Sequence, residues 1–411
     1  MSEARAGGER DVTRVVAAAT ISNFGSMLTR IALPFVAIDA LGAGAAEMSA
    51  LSMARLVPGL TIGILLSAWI ERRRKRGVMI GADLAHAALL FAVPAAFALG
   101  ALSMPLLWAF AFFGGLFSFA FGVARQAFIP GLASREQLVA ANARIAAGSN
   151  AAEALAFGGG GWLVQLLSAP LALVVDAFSY LASAALLTGV PEREAPSGSE
   201  PAPEPQRERR LRRALAGLRA IRADPQLRAL AAASLAAVLV SEALGVVYFL
   251  FVRAELGFSP GVLGLLFAAG SVAALASSLA ATWLGERFGP RNAMGAGLVG
   301  GAIATGALAF APGPTWVGAA CILAQQLGDA GLAVFEIHSL TARQQATSLE
   351  LQSRVHGAFS FFSGWAALAG AALGGLLGSA LGPRHTIALS ATALLAVGVV
   401  WLAAAPRFGE R

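Results

Sequence analysis

Apolar residues in this chain do not alternate with polar ones; they come in long runs. Runs of roughly 20 or more mostly apolar positions occur at 13–40, 48–70, 78–100, 105–127, 145–168 and 170–190. After a polar interval they return at 228–252, 260–284, 292–311, 315–337, 358–381 and 385–404. At 1.5 Å per residue, such a run crosses the ~30 Å hydrocarbon of a bilayer. Hydrocarbon offers no partner to a bare N–H or C=O, so only helices and closed barrels span it. These runs are too long and too evenly apolar for barrel strands. The pattern therefore predicts an all-α membrane protein with twelve transmembrane helices. They fall into an N-terminal six-helix bundle over 1–190, a linker over 191–227 and a C-terminal six-helix bundle over 228–411.

Composition points the same way. Of 411 residues, 57% are hydrophobic and only 13% charged, against about a quarter charged in soluble domains. The mean hydropathy is +0.71. A single cysteine, Cys321, excludes an intramolecular disulfide. The polar start MSEARAGGERD and the length of the first apolar run argue against a cleavable leader.

The placement of the cations sets an orientation. All but four of the 30 Lys and Arg lie before the first span, in even-numbered loops, in the central interval, after the last span, or within three residues of the cytoplasmic end of a span, as Arg14, Arg125 and Arg228 do; the exceptions are Arg30, Arg55, Arg253 and Arg384. Odd-numbered loops such as LGAGAAEM (41–48) and LSAP (167–170) carry none. The positive-inside rule then puts both termini and the linker in the cytoplasm. The run Arg72–Arg76 in SAWIERRRKRGV (67–78) is therefore a topological anchor at a span end, not a nucleic-acid patch. Within the linker, 191–205 is rich in Pro, Glu and Ser, as flexible linkers are. Residues 207–222 place Leu211, Leu215, Leu218 and Ile221 on one helical face opposite arginines, which suits a helix lying on an anionic membrane surface.

The two halves echo each other. SAWIERRRKRG (67–77) parallels TWLGERFGPRN (282–292): each has an acid, an Arg, and a cation five residues after the acid. Ala-Arg-Gln recurs in VARQAFIP (123–130) and TARQQATS (341–348). Two six-span halves related in this way are the layout of major facilitator transporters. The acid-Arg-x-x-x-cation segments resemble that family's loop motif. IALP (31–34), GADL (81–84), REQLVAANA (135–143), VDAFSY (175–180) and RQQATSLELQSRV (343–355) resemble its bacterial drug and siderophore exporters, the macrolide-efflux and enterobactin-exporter type. Ser67 and Thr282 stand where the loop motif usually has Gly, and span 5 reads EALAFGGGGW (153–162) where a Gly-Pro pair is common.

The resemblance implies a transporter of the bacterial plasma membrane that is monomeric, with a small-molecule substrate, protons and the lipid bilayer as partners and no nucleic acid. It implies no cofactor and no enzymatic activity. It also implies that spans 1, 4, 7 and 10, flanked by 2, 5, 8 and 11, line the cavity. An ionisable residue at mid-membrane is costly and is a functional candidate by default. Arg30, Glu153, Glu242 and Asp329 fall on cavity helices and are the candidates for proton coupling or substrate contact. Removal from water favours the neutral form of a carboxyl group, which allows it to load and release a proton as access alternates. By resemblance, Glu71, Arg72, Arg76, Asp83, Arg125, Glu286, Arg287, Arg291 and Arg343 form a cytoplasmic gate. Asp39 and Arg55 are candidates for the periplasmic side, and Asp176 in a bracing span reads as structural. His86, His338, His356 and His385 lack metal-ligand spacing, and FGGGGW (157–162) lacks the Lys-Ser/Thr of a phosphate loop, so its small residues read as a packing face. Phenylalanines of span 4 suit an apolar cargo. The expected activity is proton-coupled export of amphipathic or apolar small molecules; a lipid or lysolipid flippase or an importer on the same fold is the alternative, ahead of an integral membrane enzyme.

Overall fold

A computed structural model describes residues 2–132, 135–192 and 216–406. Helices occur throughout: α1 (Ser2–Phe35), α2 (Ala45–Thr61), α3 (Gly63–Glu71), α4 (Lys75–Ala98), α5 (Met104–Leu132), α6 (Arg135–Leu167) and α7 (Ala169–Thr188). Then come α8 (Pro225–Phe249), α9 (Pro260–Phe288), α10 (Pro290–Leu308), α11 (Trp316–Gln345), α12 (Leu349–Leu381) and α13 (Pro383–Ala404). Among the described residues nine helices are long and apolar enough to cross a membrane. Taken together, α2 and α3 are long and apolar enough for a tenth, with a bend of 55° just after Pro58, which has no N–H to give the helix ladder. The two remaining apolar runs are helical as well, as α6 and α10. The 19-residue α10 is diluted by Gly295, Gly297, Gly300, Gly301 and Gly306.

The chain divides into two compact units. Unit 1 comprises Met1–Ala43, Leu51–Glu200 and Ser259–Ala268; unit 2 comprises Gly44–Ala50, Pro201–Phe258 and Ala269–Arg411. In unit 1, α1 packs on α6 and α7, and α4 packs on α5 and α7. In unit 2, α8 packs on α12 and α13, and α10 packs on α11 and α13. With α8 as the counterpart of α1 and α10 of α4, the two pairing schemes coincide, so the repeat seen in short motifs extends to the packing itself.

Helix ends repeat too. α1 passes into a π-helical turn, Val36–Ala40, and α8 into another, Leu250–Glu255. Each is followed by Leu-Gly, Leu41-Gly42 and Leu256-Gly257, with the glycine at φ 65° and 74°. The N–H two residues after each leucine reaches back six residues, Ala43 to the Ala37 carbonyl at 2.9 Å and Phe258 to the Val252 carbonyl at 3.1 Å. This is a Schellman-type stop, which needs a residue free to adopt the left-handed region.

Each unit has its own apolar core. Val15, Ile70, Met79, Phe128 and Leu187 are buried together in unit 1, and Leu230, Met294, Leu298, Phe335 and Trp401 in unit 2. Leu65, Leu155, Leu279 and Leu376 are exposed along the helices, as side chains facing lipid are. In unit 1, α6 uses FGGGGW as a packing face: a Cβ on Gly161 would lie 2.2 Å from the Pro260 carbonyl oxygen and 2.8 Å from Gly264 Cα. Most of the linker lies outside the described residues, including Leu211, Leu215 and all of 193–215. Its last part, 216–223, is helical, buries Ile221 in the unit 2 core and sets Gly217 against the Arg354 backbone. That end of the amphipathic stretch packs on protein, which a surface-lying helix alone would not require.

The tightest helix pair tests this packing. A Cβ on Gly297 of α10 would meet the Gly331 oxygen of α11 at 2.2 Å, whereas one on Gly300 meets nothing within 4 Å. Gly297→Ala should cost about 1–3 kcal/mol of stability, as overpacking does, and lower the thermal unfolding midpoint in detergent. Gly300→Ala should stay within about 0.5 kcal/mol of the parent; equal effects would contradict the close approach.

Candidate functional site

Polar side chains in an apolar interior must be bonded or open to water, and that distinction sorts the acids of this chain. In unit 1, VDAFSY places Asp176 on the α7 face turned to α1 and α4. Asp176 is fully buried. It accepts hydrogen bonds from Thr29 Oγ1 at 2.5 Å and Ser179 Oγ at 2.9 Å. Gly25 of α1 makes the room, since a Cβ there would lie 2.0 Å from Asp176 Oδ1. One turn further along α7, the Tyr180 hydroxyl bonds Ser26 Oγ at 2.8 Å, and the His86 ring stacks on Tyr180 at 4.2 Å. Asp83 of α4 accepts from Ser183 Oγ at 2.7 Å and is only 1% exposed. Its second oxygen is buried without a hydrogen-bond partner. The structure thus places Asp83 in the interior of unit 1, against α7, a different setting from the exposed Glu71 and Arg72 of the loop motif.

Unit 2 holds a second polar set, on α8 and α11. Tyr248 donates its hydroxyl to Gln325 Oε1 at 3.0 Å, and Gln326 Nε2 donates to both Tyr248 at 3.0 Å and Gln325 Oε1 at 2.9 Å. Gln325 Nε2 then donates to Asp329 Oδ2 at 2.6 Å. Asp329 itself is only half-buried, so the network ends on a carboxylate that is not sealed. Reading charges alone picks out Asp329 and passes over Tyr248, Gln325 and Gln326. The signal was present as LAQQLGD (323–329), two amides and an acid within about one helical turn of an apolar span.

The remaining cavity candidates stand apart. Glu153 on α6 and Glu242 on α8 are both half-buried. Arg30 on α1 is exposed, with Nη1 3.4 Å from Met27 Sδ, and no ion pair joins it to Glu153 among the described residues. Asp39, in the π-helical turn, and Arg55 on α2 are both exposed.

The loop-motif residues divide into two groups. Arg76 donates to the Val190 carbonyl at 2.7 Å and pairs with Glu192 at 3.6 Å, which ties the start of α4 to the end of α7. Its repeat counterpart Arg291 bonds the Leu402 carbonyl, while Trp401 Nε1 donates to the Arg291 carbonyl at 2.9 Å, tying α10 to α13. Each cation therefore satisfies carbonyls at the C-terminus of the last helix of its own unit, where unpaired acceptors and the helix dipole favour positive charge. Glu71, Arg72, Glu286 and Arg287 are exposed, with Arg287 5.9 Å from the Phe288 ring. Arg125 and Arg343 are half-buried at the ends of α5 and α11, and Arg343 lies 4.5 Å over the Phe359 ring. No cluster of three or more His, Cys, Asp or Glu that could hold a metal ion occurs among the described residues. His338 is spent on the Ala281 carbonyl at 3.0 Å.

Several solved structures share this fold. A bacterial homologue of the iron transporter ferroportin, in its inward-facing state, superimposes with a TM-score of 0.76 at 17% identity, covering 97% of this chain and 99% of that one. The nucleoside transporter NupG gives 0.74 at 12% identity, with 97% and 98% covered. A bacterial homologue of the human lysosomal transporter Spinster, inward-facing and occupied, gives 0.74 at 15% identity over 97% and 98%. No curated protein matches the sequence. The family model of the Major Facilitator Superfamily matches residues 15–252 and 230–410. With that match spanning both halves, the chain belongs to the Major Facilitator Superfamily.

Proposed function

We propose that this transporter is a proton-coupled exporter of amphipathic or largely apolar small molecules, working by alternating access in the plasma membrane of a bacterium. The cation distribution supports twelve spans with both termini and the linker in the cytoplasm. The observation that carries the coupling is the sorting of the acids. Asp176 and Asp83 are sealed and bonded within unit 1, whereas Glu153, Glu242 and Asp329 are half-buried at interior helix positions. An acid that must exchange its proton with each side in turn needs that partial access, and a sealed one does not have it.

Coupling then follows from a difference in proton affinity between two states of the two halves. In one state the carboxyl group meets cytoplasmic water and binds cargo in its deprotonated form. In the other it meets the outer face, takes up a proton and releases cargo. Arg30 on α1 provides a fixed positive charge for an anionic cargo group, and the amide and hydroxyl groups of Gln325, Gln326 and Tyr248 provide hydrogen bonds. Among the aromatic residues of α5, Phe113 is the exposed one; Phe119 is packed on Gly63. On α12, Phe361, Phe362 and Trp365 form an exposed aromatic group. Few charges and exposed aromatic surface within each unit suit amphiphiles rather than sugars or free metal ions. Of the neighbours, one is named for nucleosides and one for iron, and neither cargo is transferred here on fold alone.

The test is substrate-driven proton movement in proteoliposomes, with cargo found by screening amphipathic dyes, antibiotics and siderophores against overexpressing cells with and without an uncoupler. Glu153→Gln, Glu242→Gln or Asp329→Asn should abolish proton movement in at least one case while cargo exchange persists. Full coupling in all three would overturn the proposal. Glu71→Ala or Arg125→Ala should cut transport at unchanged membrane abundance, and wild-type transport by both would count against a gate at these positions. Asp176→Ala should act on stability instead: it leaves Thr29 and Ser179 without their acceptor and should cost about 1–3 kcal/mol, with Asp176→Asn milder and still transporting.

A further inference from the structure

The turn between spans 2 and 3 carries more charge than the repeat explains. Glu71-Arg72 matches Glu286-Arg287, but Arg73 and Arg74 stand opposite Phe288 and Gly289 in the second half. The surplus arginines line a cleft in unit 1. Walls from α3, α4 and α5 enclose about 670 Å³, with Arg72, Arg73 and Arg74 at the turn and every other lining residue apolar or glycine. Among the described residues no carboxylate lines this cleft to neutralise the three guanidinium groups. Arg73 sits 5.2 Å over the Trp69 ring, which also lines the cleft, so the cation is held at its mouth. From there the cleft runs along Val78 and Gly81 of α4 to Leu116 and Phe117 of α5. Arg74 to Gly81 alone is about 10 Å of helix at 1.5 Å per residue.

We propose that this cleft binds one acidic phospholipid of the cytoplasmic leaflet, with its phosphate against Arg72–Arg74 and the upper part of an acyl chain along Trp69, Val78 and Phe117. The two ends of the cleft demand different chemistry. A free anion would leave the apolar walls wet, and a neutral apolar molecule would leave three guanidinium groups without a counter-charge. An anionic lipid satisfies both, and the leaflet that the cation distribution assigns to this turn is the anionic one. Bound there, the lipid bridges α3, α4 and α5 beside Glu71 and Arg72, and so joins the loop motif to membrane composition.

Native mass spectrometry of the delipidated full chain tests this without reference to transport or sidedness. Phosphatidylglycerol should be retained as one copy, at least tenfold more tightly than phosphatidylcholine with the same acyl chains. Arg73→Gln with Arg74→Gln should lower that retention at least tenfold. Gly81→Leu should do the same with every charge in place, because a Cβ at Gly81 meets nothing within 4 Å and the added side chain enters the cleft instead of the protein core. Soluble glycerol phosphate at millimolar concentration should not displace the lipid. Equal retention of the two lipids, unchanged phosphatidylglycerol retention in either variant, or displacement by glycerol phosphate would each overturn the proposal, the last by assigning a bare anion site.

Discussion

A chain that lives in hydrocarbon must satisfy every backbone N–H and C=O from within, and everything else in this structure is arranged around that constraint. It makes the spans helical, and it makes each helix end a problem to be solved locally. The two π-helical turns with their Leu-Gly stops solve it after α1 and α8. Arg76 and Arg291 solve it at the ends of α7 and α13, reaching across from the starts of α4 and α10 to carbonyls with no helical partner. Because hydrocarbon supplies no hydrophobic drive between helices, close approach does the packing, and the glycines of α10 and α11 permit it.

The same constraint separates two kinds of buried acid. Asp176 and Asp83 are held by serine and threonine hydroxyls between helices that pack tightly within unit 1, so they fix the arrangement of those helices. Glu153, Glu242 and Asp329 are only half-buried, and that difference is the ground on which we propose them as the coupling acids. The family supports a transporter and leaves coupling, direction and cargo open; coupling is what we propose from the placement of the acids.

Much of this was legible in the sequence. The apolar runs located the helices, since a span has a required length, and the repeated acid-Arg-x-x-x-cation words revealed the two halves before any packing was known. What sequence reading assigned less well were the partners of individual side chains. Arg76 and Arg291 look like gate cations in one dimension, and their bonds to Val190 and Leu402 depend on helices more than a hundred residues away. The family resemblance groups Asp83 with Glu71 and Arg72 in a loop network, yet helix geometry turns it to Ser183 on α7. In the network that ends on Asp329, charge marks only the acid, and Tyr248, Gln325 and Gln326 carry none. The repeated Leu-Gly stops were likewise visible as letters, but their meaning needs the positive φ that the structure shows.

The claim that two halves alternate under proton control is tested most directly by a distance between them. Spin labels at Gln126 and Gln344, which follow the repeat-equivalent Arg125 and Arg343, can be introduced after Cys321, the sole native cysteine, is replaced by serine. Pulsed electron–electron resonance in nanodiscs should then show two distance populations whose ratio moves with pH. The shift should vanish when Glu153, Glu242 and Asp329 are neutralised together. A single distance that ignores pH in the parent chain would contradict the account.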